Sequence, residues 1–450
     1  MMATATMHRT LFSAILAVVM VWAFVSNVGR DNETLNSMPY FSDESLYYGG
    51  GIEDAFVTET GLVPVMVEKL DLFVNAHVLV RDLSRQPSQV GTYVSQFTAD
   101  RYFSSSYLAS LWARATFGQV PIRILYIAVN AALWITAIAA TYRLAQVWFE
   151  NHLAALGSAT LVAAWPLFTL MFQSMKVQYG ALVYFLVGMY FYECHVRKFR
   201  PARQAFFALP FWFIGLNCSG GAVYLLIFIL IRATFRWRET NWLGVAAILA
   251  MIPPAVLIQG QLLDFYRLRS LLQTFSYGAV LKESLATLLH ALRGEDVSTR
   301  QFLHFPGFTY LTGQIPRSAL SLWHGNALVV TLGVPGLLLT RHRLWLLATT
   351  AMCLIAGFLP ITFAGNAYFY AGFGAPAMIF LIFGTGLLLA RVAEASPRIG
   401  TLASLAGLGL GLWLFMSSYV DALDYFYGDL GFLNLSDRVY VYHGDVVDVY

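Results

Sequence analysis

The chain has 450 residues, of which 58% are hydrophobic and 12% charged, and its mean hydropathy is +0.62. That is about half the charge of a soluble domain, and it sits among long apolar runs rather than the short alternating segments of a membrane β-barrel; what remains is a polytopic, all-α membrane protein. The net charge of +3 is scattered over span ends and points to no nucleic acid, and the three cysteines, Cys194, Cys218 and Cys353, have neither disulfide nor zinc spacing.

Residues 11–28 form the first apolar run, preceded by His8 and Arg9. The run fits a retained anchor or a signal peptide with a poor cleavage region, and both put the next segment outside the cytoplasm. That segment, 29–120, is a long non-spanning loop holding 11 of the 25 acids. Within it Phe103, Tyr107, Leu108, Leu111, Trp112 and Ala115 recur at helical spacing, which predicts an amphipathic helix lying in the interface. Residues 65–83 carry a weaker version of the same pattern.

Ten further spans are predicted at 122–142, 153–172, 179–195, 205–216, 222–233, 242–259, 327–339, 344–363, 373–390 and 402–417, about 11 in all. A second outer loop, 260–326, carries Arg267, Arg269, Lys282, Arg293, His290 and His304, with an amphipathic helix predicted at 279–292. Its histidines have no carboxylate partner at ligand spacing, which reads against a metal role. A tail, 418–450, holds six acids and follows the transmembrane domain of 1–417.

Segments 205–216 and 222–233 are short and flank Asn217-Cys218-Ser219-Gly220-Gly221, which fits a tight hairpin or a break in one long helix. Charge favours the hairpin. With 11 spans and the N-terminus inside, the cytoplasmic turns collect Arg9, Arg143, Arg197, Lys198, Arg200, Arg203, Arg232, Arg236, Arg238, Arg341, Arg343, Arg391 and Arg398. The short outer turns hold Lys176, and four acids fall inside: Glu150, Glu193, Glu239 and Glu394. This is the positive-inside pattern, and merging the two short spans would destroy it for every later turn.

The predicted spans are nearly free of ionisable groups, with Arg123 and Glu193 at span ends. Ion-coupled transporters place charges inside the bundle, so this distribution argues against transport and puts the chemistry at the outer membrane–water interface. There, Tyr40-Phe41-Ser42-Asp43-Glu44-Ser45-Leu46-Tyr47-Tyr48 sets two adjacent carboxylates among aromatics about 15 residues beyond the first span.

A first span, a long outer loop opening with Asp-Glu, and interfacial helices resemble the GT-C fold of polytopic glycosyltransferases. Tyr93-Val94-Ser95-Gln96-Phe97 looks like a Tyr-Ser-Gln-Phe segment common in that superfamily. Asn366-Ala367-Tyr368-Phe369-Tyr370, followed by Pro376, looks like its outer Arg-Tyr…Pro turn, with the arginine missing. The chain also has no large soluble C-terminal domain of the kind that many members use for acceptor recognition.

The resemblance implies an integral membrane glycosyltransferase in a bacterial plasma membrane, with its site on the periplasmic or extracellular side. It implies a polyprenyl-phosphate-linked sugar donor, a cell-surface glycan or lipid-linked acceptor, and inversion at the anomeric carbon. Asp43 is then the candidate general base and Glu44 its alternate; an N-cap is the ordinary role for such a pair. Asp100, beside Arg101, is a candidate second acid or half of an ion pair. The leaving lipid phosphate needs cations, and Lys176, Arg267 and Arg269 are candidates, with a divalent cation (magnesium or manganese) as a further possibility. Tyr368 and Tyr370 are placed to stack on sugar or to join an interfacial aromatic belt. The rival classes are a lipid-linked glycan flippase and an O-antigen-type polymerase or ligase, which would rely on 260–326.

Overall fold

The computed structural model describes residues 2–28, 122–165, 177–198, 203–218, 221–240, 242–265, 277–298, 304–305, 315–364, 375–396 and 398–427. The loop 29–120, with both of its predicted interfacial helices, lies outside them. The described residues form twelve α-helices, one 3-10 turn and one two-residue β pair. In chain order the helices are α1 Met2–Val28, α2 Ile122–Phe149, α3 His152–Ala164, α4 Val177–Lys198, α5 Arg203–Cys218 and α6 Gly221–Phe235. There follow α7 Trp242–Phe265, α8 Tyr277–Leu292, α9 Ile315–Leu338, α10 Arg343–Ala364, α11 Ala375–Ala395 and α12 Ile399–Tyr427. Strands β1 Val297–Ser298 and β2 His304–Phe305 pair antiparallel after α8.

Each predicted apolar segment overlaps one of these helices, and the amphipathic 279–292 is α8, which packs on α10. Among the described residues, four stretches are long and apolar enough to cross a membrane: Met7–Ser26, Ala128–Phe149, Ala375–Ala395 and Ile399–Ser417. Seven shorter apolar stretches of 10–17 residues accompany them among the described residues, four of them within helices of 22–24 residues. Helix α3 shows how a predicted span shortens. Asn151 caps it by accepting from Leu153 N and Ala154 N at 2.8 and 3.1 Å. It stops at Ala164 because Trp165 precedes Pro166, and a residue before proline is pushed into the extended conformation that Trp165 adopts (ψ 124°). Thirteen residues are about 20 Å of helix, against about 30 Å of hydrocarbon. Conversely, α9 starts at Ile315, twelve residues ahead of its predicted span, with Pro316 tolerated in the first turn.

Helix α11 is the axis. It packs on α9, α3, α12 and α10, and every residue from Ala375 to Leu387 is buried. Small residues set the spacing, as is usual where helices associate without a hydrophobic drive between them. A Cβ at Gly336 of α9 would overlap the carbonyl oxygen of Gly384 in α11, and one at Gly386 would overlap the Ser158 hydroxyl of α3. Thr385 Oγ1 adds a bond to Val329 O at 3.3 Å. Gly336→Val should therefore force α9 from α11 and destabilise by about 3 kcal/mol, the upper part of the usual overpacking range. A thermal melt of purified protein that is unchanged would contradict this contact.

The α5–α6 question is settled by contacts with α4. Phe191 of α4 stacks on Phe211 and packs on Phe207, while Gly215 meets Tyr184 and Ala181, so α5 runs antiparallel to α4. Phe228 meets Phe185 and Tyr192, and Arg232 meets Glu193, so α6 runs parallel to α4. The chain reverses between Cys218 and Gly221; a single broken helix is excluded.

Alternate helix ends gather at one end of the bundle. His8 meets Thr401 at 2.8 Å, Asn151 meets Glu394 at 2.6 Å, Arg341 meets Glu150 at 2.6 Å and Arg236 meets His342 at 3.1 Å. These pairs bring together the starts of α1, α3, α10 and α12 and the ends of α2, α6 and α11. Arg9, Arg236, Arg341, Arg343, Arg391 and Arg398, from turns predicted to be cytoplasmic, thus share one end.

Candidate functional site

The residues read as functional sit on segments attached to the other end. Asp43, Glu44, Asp100 and Arg101 lie between α1 and α2, and Lys176 immediately precedes α4. Arg267 and Arg269 follow the last residue of α7, Phe265, and Tyr368 and Tyr370 lie between Ala364 and Ala375. All nine lie outside the described residues. Helices α1 and α2 both pack on α3, so the two ends of the acidic loop are anchored on neighbouring supports. At this end Trp165 Nε1 donates to Asn326 Oδ1 at 2.9 Å, tying the end of α3 to α9.

Among the described residues, a buried ion pair lies at the basic end. Glu193 of α4 and Arg232 of α6 are 0% and 1% exposed. Arg232 Nε donates to Glu193 Oε1 at 2.7 Å, and Nη2 to Oε2 at 3.4 Å. The guanidinium carbon lies 5.1 Å from the ring centroid of Trp345, which itself packs edge-on against Trp148, Phe228 and His342. Sequence position puts Glu193 at a span end and Arg232 in a cytoplasmic turn; the structure keeps Glu193 near the end of α4, places Arg232 within α6 and buries both. The clue is slight: both lie within the last six residues of their helices, Arg232 as the one charge of α6 and Glu193 in the same stretch as Arg197 and Lys198.

A scan of protein-family models and a search of curated proteins gave no match to this chain.

The Glu193–Arg232 cluster has the chemistry of a clamp rather than of a catalyst. The pair ties α4 to α6 through two hydrogen bonds inside an aromatic shell. No group of three or more His, Cys, Asp or Glu side chains suited to a metal occurs among the described residues. One correction concerns His290. Helix α8 ends on Gly294 at φ 75°, with Gly294 N bonded to Ala291 O and Glu295 N to His290 O, both near 3 Å. That turn brings Glu295 onto the His290 ring, a carboxylate partner the spacing alone does not reveal. The hydrogen bond from His290 holds the exposed Glu295 carboxyl below its ordinary range.

Proposed function

We propose that the chain is an integral membrane glycosyltransferase of GT-C type with about 11 spans. It transfers a sugar from a polyprenyl-phosphate carrier to an acceptor outside the cytoplasm. The observation that carries the reading is the Asp43-Glu44 pair among aromatics, in a loop leaving the bundle at the end opposite the basic turns. The positive-inside rule makes the basic end cytoplasmic and the acidic loop external. Four of the seven shorter apolar stretches belong to helices of 22–24 residues, long enough to span.

In this reading Asp43 takes the proton of the acceptor hydroxyl as that oxygen attacks the anomeric carbon. The bond to the carrier phosphate breaks, and the leaving phosphate carries the charge away. It needs cations rather than a proton, unlike glycoside hydrolysis, where two carboxylates share the work. With no arginine before Tyr368, the burden falls on Lys176, Arg267 and Arg269.

Purified chain in vesicles, given a labelled polyprenyl-phosphate sugar, should release polyprenyl phosphate in step with labelled acceptor. In the same assay, alanine at the critical cation raises the donor KM and lowers kcat, because the charge acts on ground and transition states alike, while the acceptor KM is unchanged. A chelator arm reports separately on a divalent cation. No transfer from any polyprenyl-linked sugar would defeat the reading. Unchanged donor kinetics in Lys176→Ala, Arg267→Ala and Arg269→Ala, with no effect of chelation, would defeat this account of the phosphate site.

A further inference from the structure

Helix α8 belongs to the segment that joins α7 to α9. Helix α9 ends at the basic end of the bundle and begins about 36 Å of helix away from it, so α8 is tethered at the opposite end. It packs on α10, a helix of 22 residues, long enough to span, that exposes Leu344, Met352 and Ile355 along its own length. At about 100° per residue, the described side chains of α8 fall into three sectors. Thr287 and Ala291, 9% and 0% exposed, make the sector turned to the bundle. Leu285, Leu289 and Leu292, 48%, 47% and 62% exposed, lie within about 60° of arc. His290 and Arg293 occupy the remaining side, and both are exposed.

The three leucines form one surface. They are spaced i, i+4 and i+7, and helix neighbours at such spacing have Cβ atoms about 5–6 Å apart. Leu288, partly buried, falls between this stripe and Ala291, so the apolar arc runs unbroken from the bundle side to the exposed leucines. The polar side continues past the helix end: His290 bonds Glu295 across the turn at Gly294, and Arg293, Glu295 and Asp296 are exposed. A helix between protein and water would carry polar residues where the leucines stand, and a lipid-spanning helix would be apolar all round. One side on protein, one apolar and one polar is the arrangement of a helix lying along a membrane surface. The span-length helix beside it, with apolar residues of its own exposed, puts that surface within reach.

We propose that α8 lies in the lipid boundary of the leaflet opposite the basic turns, with Leu285, Leu289 and Leu292 among the acyl chains and His290 and Arg293 at the headgroups. The leucines reach about 5–10 Å into that boundary, the usual depth of such a face. Such an anchor holds the segment between α7 and α9 against the bilayer whatever reaction the outer loops carry.

The test places an environment-sensitive NBD fluorophore on Leu289→Cys or Arg293→Cys in the full chain, with alanine at Cys194 and Cys218 and the fully buried Cys353 kept. The protein is reconstituted in phosphatidylcholine vesicles whose acyl chains carry a nitroxide near the headgroup or near the chain end, and iodide is added on both sides. At position 289 the emission should be blue-shifted, the shallow nitroxide should quench more than the deep one, and iodide should quench little. At position 293 the order should reverse, iodide quenching more than either lipid. Leu285→Cys or Leu292→Cys, on the same stripe, replaces Leu289→Cys if that variant does not fold. Stronger quenching by iodide than by lipid at 289 would put the stripe in water. Protection from both quenchers would put it under protein, a second copy included, and stronger quenching by the deep nitroxide would make α8 a span. Each of these three results would overturn the proposal.

Discussion

Asp43→Asn should lower sugar transfer by about 10²–10⁴-fold, the usual worth of a positioned base, and leave the folded protein intact. Asparagine keeps the size and hydrogen-bonding shape of the side chain and removes only its ability to take a proton. The loss should therefore appear in kcat, with donor and acceptor KM little changed, since the missing interaction is made in the transition state. Glu44→Gln should cost less. A well-expressed Asp43→Asn protein with full activity would remove Asp43 from the mechanism.

Glu193→Leu should destabilise the bundle by about 3–5 kcal/mol, the cost of breaking a buried pair from one side. Glu193 and Arg232 are 0% and 1% exposed, so the guanidinium left behind keeps its charge without its carboxylate. The cation–π contact with Trp345 is a weak substitute. Changing both partners to leucine should restore most of the loss, because apolar replacement of a buried pair is often neutral or stabilising. Arg341→Ala supplies the contrast: its bridge to Glu150 is well over half exposed on both sides, and such pairs contribute about 0–1 kcal/mol. Melting curves of the four proteins decide it. A double variant no more stable than Glu193→Leu would mean that the pair is not the clamp described here.

The helices were legible because apolar run length is the strongest signal a membrane sequence carries, and here every run overlaps a helix. The reversal at Cys218 was legible for a different reason: the charges of all later turns depended on it, so one local ambiguity was decided by the seven basic residues that follow it in those turns. The ends of α3 and α9 were less legible. Hydropathy runs on through Trp165 and Pro166, where backbone sterics stop the helix, and it falls across 315–326, where helical periodicity continues. The Glu193–Arg232 pair was hidden because a charge near a helix end is ordinarily solvated. Only the parallel packing of α4 and α6 shows that these two charges meet inside. His290 was misread for a similar reason, since its partner Glu295 reaches it through the left-handed Gly294 rather than through helical spacing. For the outer site, Asp43, Glu44 and the cations lie outside the described residues, and their assignment rests on residue type, position along the chain and resemblance.

The account stands on an outer site that receives a lipid-linked donor, and thiol labelling of Ser45→Cys tests that most directly. The background chain carries alanine at Cys194, Cys218 and Cys353, and Ser396→Cys marks the basic end. In intact cells a membrane-impermeant reagent should label position 45 and leave position 396 unlabelled until the membrane is permeabilised. In vesicles with position 45 exposed, a polyprenyl-phosphate sugar should slow its labelling, and the free polyprenyl alcohol should not. Labelling of position 45 only after permeabilisation, or at a rate the donor does not change, would contradict the account.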